Sequence, residues 1–264
     1  MAIPHAPYIQ PRRHPHVEAY FDEDNLPDSD GKPMSETDRH RNNTIGALNP
    51  LEEFFRSYPD VYVTGNIFVY YPDEAGKIRQ VSPDIFIVRG VPKHERRYYR
   101  VDKEGKAPEV VIELTSRKTK RIDQVTKPAI YAYLGVKEYF LFDPYKETMT
   151  TCLRGFRLQD GAYVRMPDKP SLLKAKLSKD QPLEGLKSEV LGLELRVEEG
   201  QLRLYDPKLG ERLRTHKESE ADRRAAEARA AAAETEAARL REELAKLQMK
   251  SKKRTAKEKK KAAS

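Results

Sequence analysis

Residues 109–143 constrain the fold of this chain more than any other stretch. Glu109-Val-Val-Ile-Glu-Leu114 and Glu138-Tyr-Phe-Leu-Phe-Asp143 are short apolar runs rich in β-branched and aromatic residues, the composition of buried strands. Between them, Thr126 to Leu134 reads as a helix: Thr126 can cap it, Pro128 suits its first turn and Gly135 can end it. Strand, helix and strand in about thirty-five residues make a βαβ unit. A helical crossover of that kind implies a parallel pair of strands.

The flanking sequence extends this unit into a sheet. Val61 to Tyr71 reads as a strand broken at Gly65, and Asp84-Ile-Phe-Ile-Val88 as another. Thr148 to Leu158 and parts of 162–204 add further short strands. Ser35-Glu36-Thr37-Asp38 is a capping-box pattern. Ile45, Leu48, Leu51, Phe54 and Phe55 then follow at helical spacing, so a helix is expected to about Arg56, kinked or split at Pro50. The expected class is α/β with a mixed sheet. Residues 1–34, rich in Pro, His and Asp, read as a mostly irregular arm before a domain at 35–205. From Glu211 to Met249 there is no Gly or Pro and much Ala, Glu and Arg, and a long solvated helix is expected over 206–249. Leu240, Leu244 and Leu247 stand at coiled-coil spacing and mark a candidate homodimer seam, although in so alanine-rich a segment such spacing arises readily by chance. Residues 250–264 read as a basic, disordered tail.

Charge has to be divided before it is used. The chain of 264 residues holds 50 basic and 42 acidic side chains. Residues 1–210 are nearly balanced, with 33 basic and 32 acidic, whereas Lys246 to Ser264 hold nine basic and one acidic. The high pI therefore describes the tail and leaves the folded part without a net nucleic-acid footprint. No apolar run is long enough for a transmembrane helix. The first residues lack an apolar signal core. Cys152 is the single cysteine, which excludes an intrachain disulfide framework and a multi-cysteine zinc site. A cytoplasmic, non-membrane protein is expected.

The chemistry-bearing residues are Asp84, Glu113 and Lys127. Asp84 begins an apolar strand, and Glu113 lies inside another on the same face as Val111. A carboxylate in such a place is costly unless it is paired or bound to a cation. Two on neighbouring strands could hold one Mg²⁺, which prefers hard oxygen ligands. A metal there could activate water and neutralise charge building on a phosphate. Lys127, near the start of the following helix, could point back at the same site. Structural ion pairs of strand carboxylates with Arg or Lys produce the same spacing.

At these residues the chain resembles the Uma-two-type restriction endonucleases of the PD-(D/E)XK nuclease superfamily. The resemblance is carried by Pro83-Asp84, Glu113 with Ser116, Asp123 followed by Lys127, Tyr131, Gly135-Val136, Glu138-Tyr139 and Asp143-Pro144. It extends to Glu36 and His40 in the opening helix and covers roughly residues 30–205. It implies a restriction-endonuclease-like mixed central sheet flanked by helices, and hydrolysis of DNA phosphodiesters with Mg²⁺, or Mn²⁺ as a substitute. Asp84, Glu113 and the backbone carbonyl of Leu114 would be metal ligands. Glu36 would complete the acidic cluster through a water, with His40 a further accessory candidate. The superfamily pattern places a lysine two residues after the second carboxylate, and Thr115 stands there. The resemblance implies that Lys127 takes over, with Lys118 and Lys120 as rivals in the preceding loop.

Other residues admit two readings. Arg96, Arg97 and Arg100 interleave with Tyr98 and Tyr99 and could track a phosphate backbone, or form a solvated loop. Tyr131, Tyr133, Tyr139 and Phe140 have the spacing of core packing. Cys152 reads as a small core residue. Two functions compete: a metal-dependent DNA endonuclease, and a weak or inactive nuclease-fold module that binds nucleic acid or protein through its helical basic tail.

Overall fold

The computed structural model describes residues 26–28, 37–167 and 185–262, and the chain divides into two units, 1–215 and 216–264. Helix α1 (Asp38–Phe54) starts one turn into the capping pattern: the Thr37 side chain accepts from the His40 N–H at 3.2 Å. Ser35 and Glu36 lie outside the described residues, as does nearly all of the 1–34 arm. Pro50 sits within α1 without ending it.

Next come β1 (Val61–Thr64), β2 (Val69–Pro72), β3 (Ile78–Val81), β4 (Ile85–Arg89), β5 (Tyr99–Arg100), the single turn α2 (Val101–Glu104) and β6 (Val110–Leu114). A π-helical turn (Ile122–Thr126) leads into α3 (Lys127–Leu134), followed by β7 (Glu138–Phe142), β8 (Leu153–Gln159) and β9 (Ala162–Arg165). The unit closes with β10 (Gly185–Ser188), β11 (Leu193–Glu198), β12 (Gln201–Asp206) and β13 (Glu211–Arg212). Thr126 does not cap α3. It is itself helical and makes no capping bond, because the π turn already carries the helix through it. Gly135 does end the helix, in the left-handed region at φ 76°.

Among the described residues the central sheet has the order β1-β4-β6-β7-β8-β9. The β6–β7 pair of the βαβ unit is parallel, and its other pairs are antiparallel. Alternation sends Val61, Val63, Ile85, Ile87, Val110, Ile112, Leu114, Phe140 and Phe142 to one face, where Ala47 and Leu51 of α1 and leucines of the β10–β13 sheet cover them. Tyr62, Phe86, Val88, Val111, Tyr139 and Leu141 line the other face, under Ile130 and Tyr131 of α3 and residues of the β3-β2-β5 sheet. The sheet is thus a mixed α/β core with helices on both faces. Cys152 packs against the first cluster, half-buried.

The break at Gly65 separates strands of two different sheets, and it has a steric cause. A Cβ on Gly65 would lie 2.1 Å from the Asp84 carbonyl oxygen. The next residue, Asn66, sits at φ 57° and donates its N–H to the Pro83 carbonyl at 3.1 Å. The turn therefore lies directly on the backbone that carries Asp84.

The second unit is α4 (His216–Ala262). It starts ten residues after the expected position 206 because 201–212 forms the β12–β13 hairpin. It also runs through most of 250–264, the segment expected to be disordered. Ala, Lys, Glu and Arg are all strong helix formers, and no Gly or Pro interrupts them. Ion pairs one turn apart, such as Arg223 with Glu227 and Lys246 with Glu242, lie along its surface. Leu240 and Leu244 are exposed on this single chain, and the Leu247 side chain lies outside the described residues. Among the described residues, no helix is long and apolar enough to cross a membrane.

Gly65→Ala is expected to destabilise the first unit by about 1–3 kcal/mol, since backbone must move to admit the methyl group. Urea unfolding of the variant against wild type measures this. An unchanged midpoint would mean that the turn does not press on Asp84.

Candidate active site

Register brings the two carboxylates together. In the antiparallel β4–β6 pair Ile85 stands opposite Ile112 and Phe86 opposite Val111. One step further along, Asp84 meets Glu113. The Leu114 N–H donates to Asp84 Oδ2 at 2.6 Å, and the Asp84 N–H to Glu113 Oε2 at 3.4 Å. Each carboxylate is thus held by backbone beside the other. Glu113 is fully buried on β6, which lies between β4 and β7.

The helical segment supplies the counter-groups. Asp123, Lys127 and Tyr131 recur every four residues and so share one side of the helix. Lys127 Nζ donates to Glu113 Oε2 at 2.7 Å and lies 3.4 Å from Asp123 Oδ1. The Tyr131 hydroxyl donates to Glu113 Oε1. Both oxygens of Glu113 are therefore engaged, one by an ammonium and one by a phenol. Asp123 is buried on the π turn, where the Lys127 N–H reaches back five residues to the Ile122 carbonyl. Its carbonyl accepts from the Tyr139 hydroxyl at 2.6 Å, while its Oδ2 is buried with no hydrogen-bond partner. Helix α1 adds His40 from the other side. Its Nε2 lies 3.0 Å from the Leu114 carbonyl oxygen and 3.7 Å from Asp84 Oδ2.

Three carboxylates thus surround one ammonium. Burial raises the pKa of Asp84, against the pull of Lys127 and of the Leu114 N–H. Burial also pushes Glu113 up to about 8, opposed by Lys127 and reinforced by Asp84 and Asp123. For Lys127 burial works against the charged form, but Glu113, Asp84 and Asp123 outweigh it and raise its pKa. The site has an excess of negative charge that a proton relieves.

The donors suit a hard divalent cation. Asp84, Glu113 and the Leu114 carbonyl offer oxygen only, with His40 Nε2 already at that carbonyl. Such oxygen donors accord with Mg²⁺, which uses one or two carboxylates and keeps waters or substrate phosphate for its other positions.

Of the expected site residues, Asp84, Glu113, Lys127, His40 and the Leu114 carbonyl come together. Glu36 lies outside the described residues. Lys118, in the turn after β6, and Lys120, at the start of the helical segment, are exposed and make no ion pair among the described residues. Tyr131 was expected only as core. It is core, and it also binds Glu113; its four-residue spacing from Lys127 was the available signal. Asp123 was legible by the same spacing. The arginine loop takes its bland reading: Arg96 pairs with Glu104 at 2.6 Å and lies over the Tyr62 ring, Arg97 pairs with Asp28, and Arg100 pairs with Asp102.

Residues 29–197 match the family model Uma2, described as "Putative restriction endonuclease". None of the curated proteins matches the chain in sequence. Among solved structures, a protein from Anabaena variabilis ATCC 29413 described as "a putative nuclease belonging to DUF820" aligns with 17% identity and a TM-score of 0.40, over 56% of this chain and 83% of that one.

The raised pKa of Glu113 sets a pH dependence. Between the ordinary value of 4.5 and about 8, the folded chain keeps a proton that the unfolded chain has lost. Stability is therefore highest below this window and is lost as pH rises through it. The thermal midpoint of metal-free wild type should fall from pH 5 to pH 8, and Glu113→Gln should flatten the decline. Parallel declines in both proteins would show that Glu113 does not carry the effect.

Proposed function

Because the chain belongs to the Uma2 family, described as "Putative restriction endonuclease", we propose that it is a Mg²⁺-dependent endonuclease hydrolysing the phosphodiester bonds of DNA. The observation that carries this reading is the joined pair Asp84–Glu113, with Lys127 2.7 Å from Glu113 in a buried setting. Asp84, Glu113 and the Leu114 carbonyl would hold the ion, which when bound would supply Lewis acidity toward the phosphate and a water of lowered pKa. Lys127 is the lysine of the site. Its ammonium, kept charged by three carboxylates, stabilises negative charge developing on the phosphate. Tyr131 fixes the carboxylate plane of Glu113, and His40 holds the Leu114 carbonyl and approaches Asp84. Thr115, where the superfamily pattern has lysine, is fully buried, and its hydroxyl has no hydrogen-bond partner among the described residues. The charge that a lysine would bring there comes instead from the helix.

The same Thr115 favours the second reading, a nuclease-fold module that binds without cutting. Calorimetric Mg²⁺ and Mn²⁺ binding, followed by plasmid nicking on the same samples, separates the two. Wild type should bind and nick. Asp84→Ala and Glu113→Gln should lose both, and Lys127→Met should nick about 10²-fold more slowly. Nicking at wild-type rate by the two carboxylate variants would sink the assignment. Well-folded wild type that binds DNA but no metal would favour the module.

The same reading extends to assembly. The folded unit at 35–205 acts as the nuclease, and Leu240 and Leu244 of α4 pair two copies. Sedimentation of wild type should show a concentration-dependent dimer that Leu240→Ala/Leu244→Ala converts to monomer. A monomeric wild type at all concentrations would dismiss the seam.

A further inference from the structure

A site with three carboxylates and one ammonium repels a polyanion at a distance, so cations must flank it if nucleic acid is to approach. Several cations of the first unit are already committed. Arg79, Arg96, Arg100, Lys127, Lys137, Arg157 and Arg196 are held by acids of the same unit. Adjoining the site residues in the chain is the run Arg117-Lys118-Thr119-Lys120-Arg121, a turn that enters the helical segment at Lys120, with four cations in five residues. Arg117 pairs with Glu147 at 3.0 Å. Lys118, Lys120 and Arg121 are exposed and make no ion pair among the described residues.

Two features give this run a fixed place. Its ends are tied to the site: it begins three residues after Leu114, whose N–H binds Asp84, and ends two before Asp123. Its backbone is braced as well. The Ser116 N–H donates to Thr119 Oγ1 at 3.0 Å, the Lys120 N–H to the Ser116 carbonyl at 2.8 Å, and the Asp123 N–H to the Thr119 carbonyl at 2.9 Å. Immediately beyond, Ile122 and Val125 are exposed at 49% and 47%, an apolar edge beside the cations.

Resting on the nuclease reading above, we propose that Lys118, Lys120 and Arg121 form the surface that grips the phosphate backbone of the DNA strand presented to Asp84 and Glu113. The contact is electrostatic and independent of base sequence, since phosphates position a duplex and carry no base identity. In a folded unit that is nearly neutral overall, this run gathers several uncommitted positive charges next to the site in the chain.

The test compares the full chain with Lys118→Ala/Lys120→Ala/Arg121→Ala and with Lys77→Ala/Lys187→Ala/Lys208→Ala. The second variant removes the same charge from exposed lysines in other loops and strands, which also make no ion pair among the described residues. Binding of a short DNA duplex is measured against salt without divalent cation, and cleavage is measured with Mg²⁺. The basic tail is present in all three proteins, so differences isolate the loop. The loop variant should show a log–log salt slope shallower by about 2–3, the release expected for three phosphate contacts, and a KM raised more than kcat is lowered. The control should keep the wild-type slope. Equal changes in both variants, or none in the loop variant, would overturn the proposal while leaving wild-type cleavage to uphold the nuclease. Loss of slope in the loop variant of a chain that never cleaves would uphold the surface and overturn the nuclease.

Discussion

Glu113 is a carboxylate with no exposed surface, on β6 between β4 and β7 of the six-strand sheet, and burying it there is the constraint to which its surroundings answer. Left alone it would cost several kcal/mol. Each of its oxygens meets a donor from the helical segment, Lys127 at one and Tyr131 at the other. The backbone of Asp84 approaches through the antiparallel register. The βαβ crossover is what allows this, because it returns the chain over the face on which Glu113 points and sets residues 123, 127 and 131 above it.

The arrangement is not the most stable one available. A well-packed apolar residue at position 113 would spare the desolvation of an acid and a lysine, and replacing buried ion pairs in that way often stabilises a protein. Raised pKa values at Asp84 and Glu113, with Asp123 beside Lys127, leave the site holding more negative charge than one ammonium offsets. Perturbed acids clustered at one end of a sheet mark a functional centre better than a structural pin. The contrast lies within the same molecule. Glu138 is also buried, but Ser188, the Glu189 N–H and Arg157 satisfy it, and it ties β7 to the β10–β13 sheet. That is a structural acid, closed on itself.

The geometry around Asp84 depends on backbone as much as on side chains. Gly65 leaves room for the Asp84 carbonyl, and the neighbouring Asn66 N–H binds Pro83. The π turn carries Asp123 and leads into Lys127, and such turns recur at functional sites. Electrostatics then divides the surface. Arginines with an acid nearby are committed to structure, as Arg96 and Arg100 are, while Lys118, Lys120 and Arg121 keep their charge for solvent or a partner.

Local pattern determined a good deal about this protein by itself. The alternation in 109–114 and 138–143 fixed the two buried strands and the face on which Glu113 lies, and the residues between them implied the parallel pair. Gly135 ended α3 as its left-handed conformation requires. These properties are set within a few residues, by steric preference and by the two-residue period of a strand. Only the tertiary structure shows which lysine lies beside Glu113, because Lys118, Lys120 and Lys127 differ in where a turn and a helix point them. It also decided that the arginine loop is internally paired, since Asp28 lies far from Arg97 in the chain. The second role of Tyr131 was settled in the same way: burial was legible from its spacing, but its contact with Glu113, 18 residues back in the chain, is set by packing of the helix on the sheet.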